Sequence, residues 1–219
     1  MQRKRITAVL KALEGSYPRG ERPWAVCSNP FRTLIGTILS AQTTDAQVDL
    51  VTPELFRRWP TPVALSRAKV AEVQRIIKSV GLHRAKARNI VAAARAISER
   101  FDGKVPAARD GLMSLAGVGR KTANVVLIKS FGVPAMPVDT HVFRVATRIG
   151  LAEGKTPEQA ERGLVKVIPE RQLGAAHFWL IHHGRTLCHA RNPECVVCPV
   201  RKYCFYFKKQ RSREVKKLR

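Results

Sequence analysis

The stretch "LAGVGRKTANVVL", which runs from Leu115 to Leu127, places two glycines and a basic pair immediately before an apolar run. A phosphate-binding loop of nucleotide-binding proteins needs four residues between its first glycine and a Gly-Lys-Ser/Thr ending. Here only Val118 separates Gly117 from Gly119, and an arginine precedes Lys121. No apolar strand leads into the stretch. The pattern therefore excludes a nucleotide-binding loop and predicts a helix, a tight turn and a second helix.

A helix-hairpin-helix of this kind has the features of a phosphate-binding element. Gly117 and Gly119 allow positive φ values and close approach of another backbone, and we expect Val118 to pack between the helices. The second helix begins with unpaired N–H groups and the positive end of its dipole, where phosphate binds well. Gly117, Val118, Gly119 and Arg120 are therefore the predicted contacts to a DNA backbone. The alternative is an ordinary helix connection with a glycine cap.

The charge of the chain favours a polyanionic partner. Forty Lys and Arg residues face sixteen Asp and Glu residues, which gives a formal net charge of +24 over 219 residues. Nucleic acid is the leading interpretation, an acidic membrane surface is the second, and a merely solubilising basic surface is the third. No signal peptide and no apolar run of membrane-spanning length is visible. We therefore expect a soluble cytoplasmic protein without membrane association, located at the nucleoid if the source is bacterial.

Helical patterns dominate the rest of the chain, and alternating strand patterns are nearly absent. The sequence predicts an all-α fold of about ten helices. Gly81 is the predicted end of one helix, and Thr156 with Gln159 forms a predicted capping box at the start of another. The clearest helical segments are residues 31–41, 70–81, 84–101, 156–168 and 171–187. The basic residues 208–219 are expected to be a frayed or disordered tail that adds phosphate contacts.

Four of the five cysteines lie within 17 residues near the end of the sequence. Their spacing is Cys188-x6-Cys195-x2-Cys198-x5-Cys204. Disulfides are unlikely in a reducing compartment, so the spacing predicts a metal site. A zinc ion and an iron–sulfur cluster both remain open on spacing alone. Cys27 stands apart and is expected to be a small buried apolar residue.

A further candidate follows the hairpin at the segment "PVDTHVFRV", where Asp139 is placed to start a helix. Taken singly, an aspartate before a helix is an N-cap. In combination with the hairpin and the four cysteines, however, the chain resembles the helix-hairpin-helix/Gly-Pro-Asp superfamily of DNA glycosylases. Within it, the motifs "LSAQTTD", "GLHRAKARNI", "VDTHVFRV" and "HFWLIHHGR" resemble the endonuclease III family, and the cysteine spacing matches that family's [4Fe–4S] loop.

This resemblance implies an architecture that the patterns alone do not. A six-helix domain, residues 22–134, would be inserted into an iron–sulfur cluster domain made of residues 1–21 and 135–219. Residues 208–219 would form the basic tail of the second domain. The two helical domains would enclose a DNA-binding cleft, and the protein would act as a monomer.

The resemblance also implies a reaction. Lys121 occupies the position of the lysine that attacks C1′ of a damaged nucleotide and forms a Schiff base, and Asp139 that of the catalytic carboxylate. The expected substrate is double-stranded DNA with oxidised pyrimidines, such as thymine glycol, or abasic sites. Relatives that excise adenine opposite oxidised guanine usually lack the lysine, so Lys121 favours the bifunctional pyrimidine enzyme.

Three more positions match the family's DNA-contacting residues. Gln42 and Leu82 correspond to side chains that fill the gap left by a flipped base. Without the resemblance, Gln42 is a polar residue ending a helix, and Leu82 is the apolar contact of a helix cap. Asp45 corresponds to an acid near the site and is equally well interpreted as the N-cap of the next helix. The alternative function is a non-catalytic architectural DNA-binding protein, which would use the hairpin, wedges and tail alone.

Overall fold

Helices form the regular structure of the protein in the computed structural model, which describes residues 2–17 and 29–217 and has no strand among them. The all-α prediction is therefore confirmed. The chain divides into two compact units, one spanning Trp24–Val133 and the other combining Met1–Pro23 with Pro134–Arg219. The predicted domain boundaries at residues 22 and 134 are close to these limits. Residue 22 itself and the predicted buried thiol of Cys27 lie outside the described residues.

The unit that contains the hairpin is built from seven α-helices among its described residues. The helices are α2 Pro30–Leu39, α3 Asp45–Arg58, α4 Pro62–Ser66, α5 Val70–Ile76, α6 His83–Arg100, α7 Arg109–Met113 and α8 Arg120–Val126. Two of them, α4 and α7, are short helices of five residues. Helix α6 packs against α4, α5 and α2, and α2 packs against α8. Its core is aliphatic and fully buried, and includes Leu34, Ile35, Leu39, Leu55, Leu65, Ile77, Ile90, Ile97 and Leu112.

The second unit combines the N-terminal helix with the C-terminal part of the chain. Its helices are α1 Gln2–Ser16, α9 Thr140–Ile149, α10 Pro157–Val167, α11 Leu173–Thr186 and α12 Phe205–Lys217. Helix α9 lies at the centre, because α10, α11 and α12 all pack against it. The buried side chains that join these helices include Leu13, Met136, Val142, Val145, Ile149, Leu164, Trp179 and Leu180. No helix of the described residues is long and apolar enough to cross a membrane.

Side-chain caps account for several of the helix starts. The Asn29 carboxamide oxygen accepts hydrogen bonds from the N–H groups of Phe31 and Arg32, and Pro30 occupies the first helical position. The predicted cap at Thr156 is confirmed, because its hydroxyl accepts a bond from the Gln159 N–H. The reciprocal bond of the predicted capping box is shifted by one residue, since Gln159 Oε1 accepts from the Lys155 N–H at 2.7 Å.

Three helix ends differ from the sequence expectations. Helix α5 ends at Ile76, so Gly81 does not cap it, and the left-handed conformation belongs to Leu82 instead. The helix that starts at Arg120 changes to a π-helical turn over Leu127–Phe131 and ends at Gly132, whose N–H donates to Leu127 O five residues earlier. The tail predicted to be frayed is helical through residue 217 as part of α12.

Candidate functional site

The predicted hairpin is present between α7 and α8. The Val118 N–H donates to Leu115 O at 3.2 Å, which closes the turn, and Val118 is 7% exposed. Gly117 has a φ of +77°, as predicted. Gly119 does not use this freedom, because its φ is −89° and it is the extended N-cap residue of α8. No side-chain hydrogen bond caps the start of α8 at Gly119.

Gly117 is required by a neighbour as well as by its conformation. A Cβ atom built on it would lie 2.9 Å from Nδ2 and 3.0 Å from Cβ of Asn89, which belongs to α6. A Cβ on Gly119 would meet nothing within 4 Å. The two glycines of the motif therefore have different functions, one in packing the turn on α6 and the other in leaving the outer surface of the turn bare.

Alanine substitution of the two glycines separates these functions. Gly117→Ala is expected to lower the free energy of unfolding by about 1–3 kcal/mol, because it combines a left-handed backbone with a clash. Gly119→Ala should leave stability within about 0.5 kcal/mol while weakening DNA binding, since its methyl group covers the outer surface. Urea unfolding and a DNA titration of both variants check this. Equal destabilisation by the two substitutions would contradict it.

The two predicted reacting groups are found at two helix starts. Lys121 is exposed in the first turn of α8, directly after the hairpin. Asp139 is the N-cap of α9, and its Oδ1 accepts the Val142 N–H at 2.8 Å. The capping interpretation is thus confirmed for Asp139, while the bond engages only Oδ1. Lys121 belongs to the unit Trp24–Val133 and Asp139 to the other unit.

A histidine that the sequence patterns did not single out supports the segment before Asp139. His177 of α11 is 3% exposed, and its Nδ1 lies 2.9 Å from Pro137 O, to which it donates. Pro137 is itself buried, two residues before Asp139. The only sequence signal for His177 is a polar residue on the apolar face of α11, and nothing local identifies its partner.

The two predicted wedge residues lie on adjacent turns of one unit. Gln42, after α2, has a φ of +53°, and Leu82, the N-cap of α6, has a φ of +59°. Leu82 is 61% exposed, and Gln42 is exposed as well. Left-handed backbone is unusual for a bulky residue such as leucine, and strained conformations are concentrated at functional sites. A Cβ on Gly81 would lie 3.2 Å from Gln42 O, which shows how closely the two turns approach.

Asp45 is not the N-cap of its helix, as one reading of the sequence suggested. Thr44 is the N-cap of α3, and its hydroxyl accepts from the Gln47 N–H at 3.3 Å. Asp45 is the first helical residue and is half-buried. A carboxylate there is favoured by the positive end of the helix dipole.

The four C-terminal cysteines line one concave site of the second unit, which has about 330 Å³ of empty space that is partly open to solvent. None of the four forms a disulfide. One concave site therefore brings together the four thiols that the sequence spacing predicts as ligands, and these residues fit a thiolate-bound metal group.

Burial disfavours the ionised form of three of the four thiols. Burial raises the pKa of Cys198 to about 11, and it raises the pKa values of Cys195 and Cys204. Metal binding requires the deprotonated sulfur. A bound iron cluster supplies the charge that stabilises four adjacent thiolates, so the donor set fits such a group.

Among the residues that contact the cysteine loop, Arg148 and His183 were missed by sequence reasoning. Arg148 of α9 donates through Nη1 to Cys188 Sγ at 3.5 Å and to His189 O at 2.6 Å. His183 of α11 lies between Tyr17 and Cys198, with Nδ1 3.0 Å from the Tyr17 hydroxyl and Nε2 3.6 Å from Cys198 Sγ. Burial lowers the pKa of His183 to about 4, so the ring is neutral at physiological pH. When Tyr17 donates to Nδ1, the ring proton lies on Nε2 and is directed at the sulfur.

Cysteine substitution gives a test that can be seen by eye. The purified protein is expected to be brown and to contain iron and acid-labile sulfide, whereas four sulfurs around zinc would be colourless. Cys198→Ser should remove the visible absorbance and lower the melting temperature, because metal-binding free energy contributes to folding. Cys27→Ser is the matched control and should stay coloured. A colourless wild-type protein with bound zinc would contradict the cluster.

Comparison with known proteins points to one family for both parts of the chain. Residues 35–170 match the HhH-GPD superfamily of base excision DNA repair proteins, and residues 188–204 match the iron–sulfur binding domain of endonuclease III. The second match confirms the predicted [4Fe–4S] cluster as the cofactor.

Individual relatives match over most of their length. Endonuclease III of Rickettsia conorii is 47% identical over 182 residues, which cover 83% of this chain and 87% of the relative. Endonuclease III of Escherichia coli K12 is 46% identical over 182 residues, covering 83% and 86%. A solved structure of a trapped endonuclease III–DNA covalent intermediate is 39% identical with a TM-score of 0.88, and the match covers 96% of this chain and 99% of that one. The chain belongs to the endonuclease III family, within the HhH-GPD superfamily of base excision DNA repair proteins.

Proposed function

We propose that this chain is a bifunctional DNA glycosylase and abasic-site lyase that removes oxidised pyrimidines, such as thymine glycol, from double-stranded DNA. The observation that carries the proposal is the exposed lysine in the first turn of α8, directly after a glycine turn suited to a DNA backbone. The match to a trapped endonuclease III–DNA covalent intermediate supports it. We further propose that the protein acts as a monomer in the cytoplasm, at the nucleoid if the source is bacterial.

Lys121 is the proposed nucleophile. Its neutral Nζ attacks C1′ of the damaged nucleotide, the N-glycosidic bond breaks, and the electron pair leaves with the base, which takes up a proton. The sugar opens and leaves a Schiff base between Nζ and C1′. Loss of a proton from C2′ then breaks the C3′–O bond and nicks the strand on the 3′ side. Water releases the lysine. The preceding turn, with Gly117, Val118, Gly119 and Arg120, would hold the phosphates.

Asp139 is the proposed catalytic carboxylate. As base departure leaves positive charge on the sugar, a nearby carboxylate stabilises that charge, and it also assists proton transfer. The hydrogen bond that caps α9 fixes the orientation of the carboxyl group through Oδ1. The hydrogen bond from His177 to Pro137 O fixes the backbone two residues before Asp139. The orientation that caps α9 is therefore also the orientation in which the carboxylate would act on the sugar.

The damaged nucleotide must leave the base stack before Lys121 can reach C1′. Gln42 and Leu82 are the proposed wedges that fill the gap, because both are exposed on adjacent turns. Asp45, three residues after Gln42, is proposed only as an acid near these contacts. Cys188, Cys195, Cys198 and Cys204 are the proposed cluster ligands.

Phosphate contacts predict a strong dependence of DNA binding on salt. Each neutralised phosphate releases condensed counterions, so even two contacts cost about tenfold in affinity across a fourfold rise in salt. With a net charge of +24, the loss between 50 and 200 mM salt is expected to be larger than that, as measured by fluorescence anisotropy. An affinity that does not change over this range would exclude backbone contacts as the main source of binding.

A panel of duplexes tests the function directly. Strands carrying thymine glycol, dihydrouracil, an abasic site or no lesion are incubated with the protein, and base release and strand nicking are measured separately. We expect both products from the oxidised pyrimidines and nicking alone from the abasic duplex. The second candidate, an architectural DNA-binding protein, predicts binding without base release or nicking at any of them.

A further inference from the structure

A buried lysine joins the two turns that carry the proposed wedges. Lys86, in the first turn of α6, is 4% exposed. Its Nζ lies 2.7 Å from Leu39 O, 2.5 Å from Ala41 O and 2.8 Å from Thr43 Oγ1. An ammonium group has three protons to donate, and these acceptors match that number.

The three acceptors enclose Gln42 on both sides. Leu39 and Ala41 precede it, and Thr43 follows it. On its own side, Lys86 is four residues after Leu82, and its N–H donates to Leu82 O at 3.0 Å. One residue is therefore bonded through its side chain to the turn of Gln42 and through its main chain to the turn of Leu82.

The chemistry of this contact explains why both turns keep strained conformations. A left-handed backbone conformation at a residue other than glycine is strained, and it persists only where contacts with neighbouring residues hold it in place. Burial lowers the pKa of Lys86, while three hydrogen bonds to its charged form act in the opposite direction. A buried charge bonded to backbone carbonyls is a stiff constraint, because moving either turn would leave polar groups unpaired.

We propose that Lys86 is a positioning residue, which fixes the separation of the Gln42 and Leu82 turns so that both side chains enter one gap in the DNA together. The proposal rests on the proposed wedge function of those two residues. Lys86 does not touch the DNA or the reacting sugar. Its contribution is to hold the wedges before binding, so that binding does not have to order them.

The test uses full-length variants and a probe that does not depend on catalysis. The probe is a duplex with a tetrahydrofuran abasic analogue opposite 2-aminopurine, whose fluorescence rises when the base is unstacked. Lys86→Met keeps the unbranched side chain up to its last atom and removes the charged amine. We expect this variant to lose most of the fluorescence rise and about 10- to 100-fold of the nicking rate on an abasic duplex. Nicking of the same abasic strand without its complement should change less than about threefold, because no base pair has to be opened.

Controls separate positioning from charge and from folding. Lys104→Met removes one exposed positive charge from the same unit and is expected to match the wild type in both assays. Thr43→Val removes one of the three acceptors. It should lower the ratio of the nicking rate on duplex to the nicking rate on single strand, as Lys86→Met does, but by a smaller factor. If Lys86→Met does not fold, this ratio in Thr43→Val tests the proposal instead.

Two results would overturn the proposal in distinguishable ways. If Lys86→Met or Thr43→Val loses nicking rate equally on duplex and on single-stranded DNA, Lys86 only supports the fold. Gln42→Gly and Leu82→Gly keep the backbone conformation and remove the wedge side chains. If these two retain the full fluorescence rise, the wedge assignment itself fails. If they lose it while Lys86→Met keeps it, only the positioning function of Lys86 fails.

Discussion

Lys121→Ala is expected to abolish covalent trapping with borohydride on thymine-glycol DNA. The alanine variant has no amine at this position to form a Schiff base at C1′, so borohydride has no intermediate to reduce to a stable covalent complex. The rates of base release and nicking should fall by about 10⁴-fold or more, which is the scale seen when a nucleophile is removed. Gel separation of the trapped complex, with single-turnover kinetics on the same duplex, measures both.

Folding and DNA binding should survive this substitution. Lys121 is exposed, and a positive charge in the first turn of a helix opposes the helix dipole, so its loss should leave the melting temperature equal or slightly higher. Lys104→Ala is the matched control, since it removes an exposed lysine from the same unit and should trap normally. If Lys121→Ala still forms a trapped complex, another amine is the nucleophile.

The sequence predicts the helices and most of their starts because these depend on neighbours in the chain. Asp139 and Thr156 could be identified as N-caps, since an N-cap bonds a backbone group three residues away. Gly117 and Gly119 could not be told apart, because what distinguishes them is Asn89, which packs from another helix. The difference between a packing glycine and a surface glycine is a tertiary property.

The same limit applies to Lys86 and to the cysteine loop. In "GLHRAKARNI", Lys86 is one of several basic residues, and its three acceptors lie 43 to 47 positions earlier. Cysteine spacing left zinc and an iron–sulfur cluster open. The match of residues 188–204 to an iron–sulfur binding domain decides between them. The contacts of the loop with the arginine of α9 and the histidine of α11 are tertiary and leave no local signal in the sequence.

Helix α9 connects the cysteine loop to the proposed catalytic carboxylate within one unit. Its N-cap is Asp139, and Arg148, about 14 Å further along the helix, holds the loop through Cys188 and His189. Arg144 adds a bond from Nε to Cys188 O at 3.0 Å. The cysteine loop and the start of α9 that orients Asp139 are thus joined through one helix.

Asp139→Asn is expected to lower the rate of base release by about 10²–10⁴-fold while leaving the stability of the protein nearly unchanged. Asparagine caps a helix about as well as aspartate, so the bond to the Val142 N–H is retained and only the negative charge is lost. Asp139→Ala should show the same loss of activity and a further loss of about 1 kcal/mol in the free energy of unfolding, because the cap is removed.

Thr156→Ala is the matched control for these two variants, since it removes a different N-cap of the same unit. It should lose about 1 kcal/mol of stability and keep full activity. Urea unfolding and single-turnover base release, measured on all three variants, separate the capping function of Asp139 from its catalytic function. Wild-type rates in Asp139→Asn would reduce the carboxylate to a cap, and unchanged base release in Lys121→Ala would likewise remove the lysine from the reaction. The two substitutions together therefore decide whether α8 and α9 begin with reacting groups or only with structural ones.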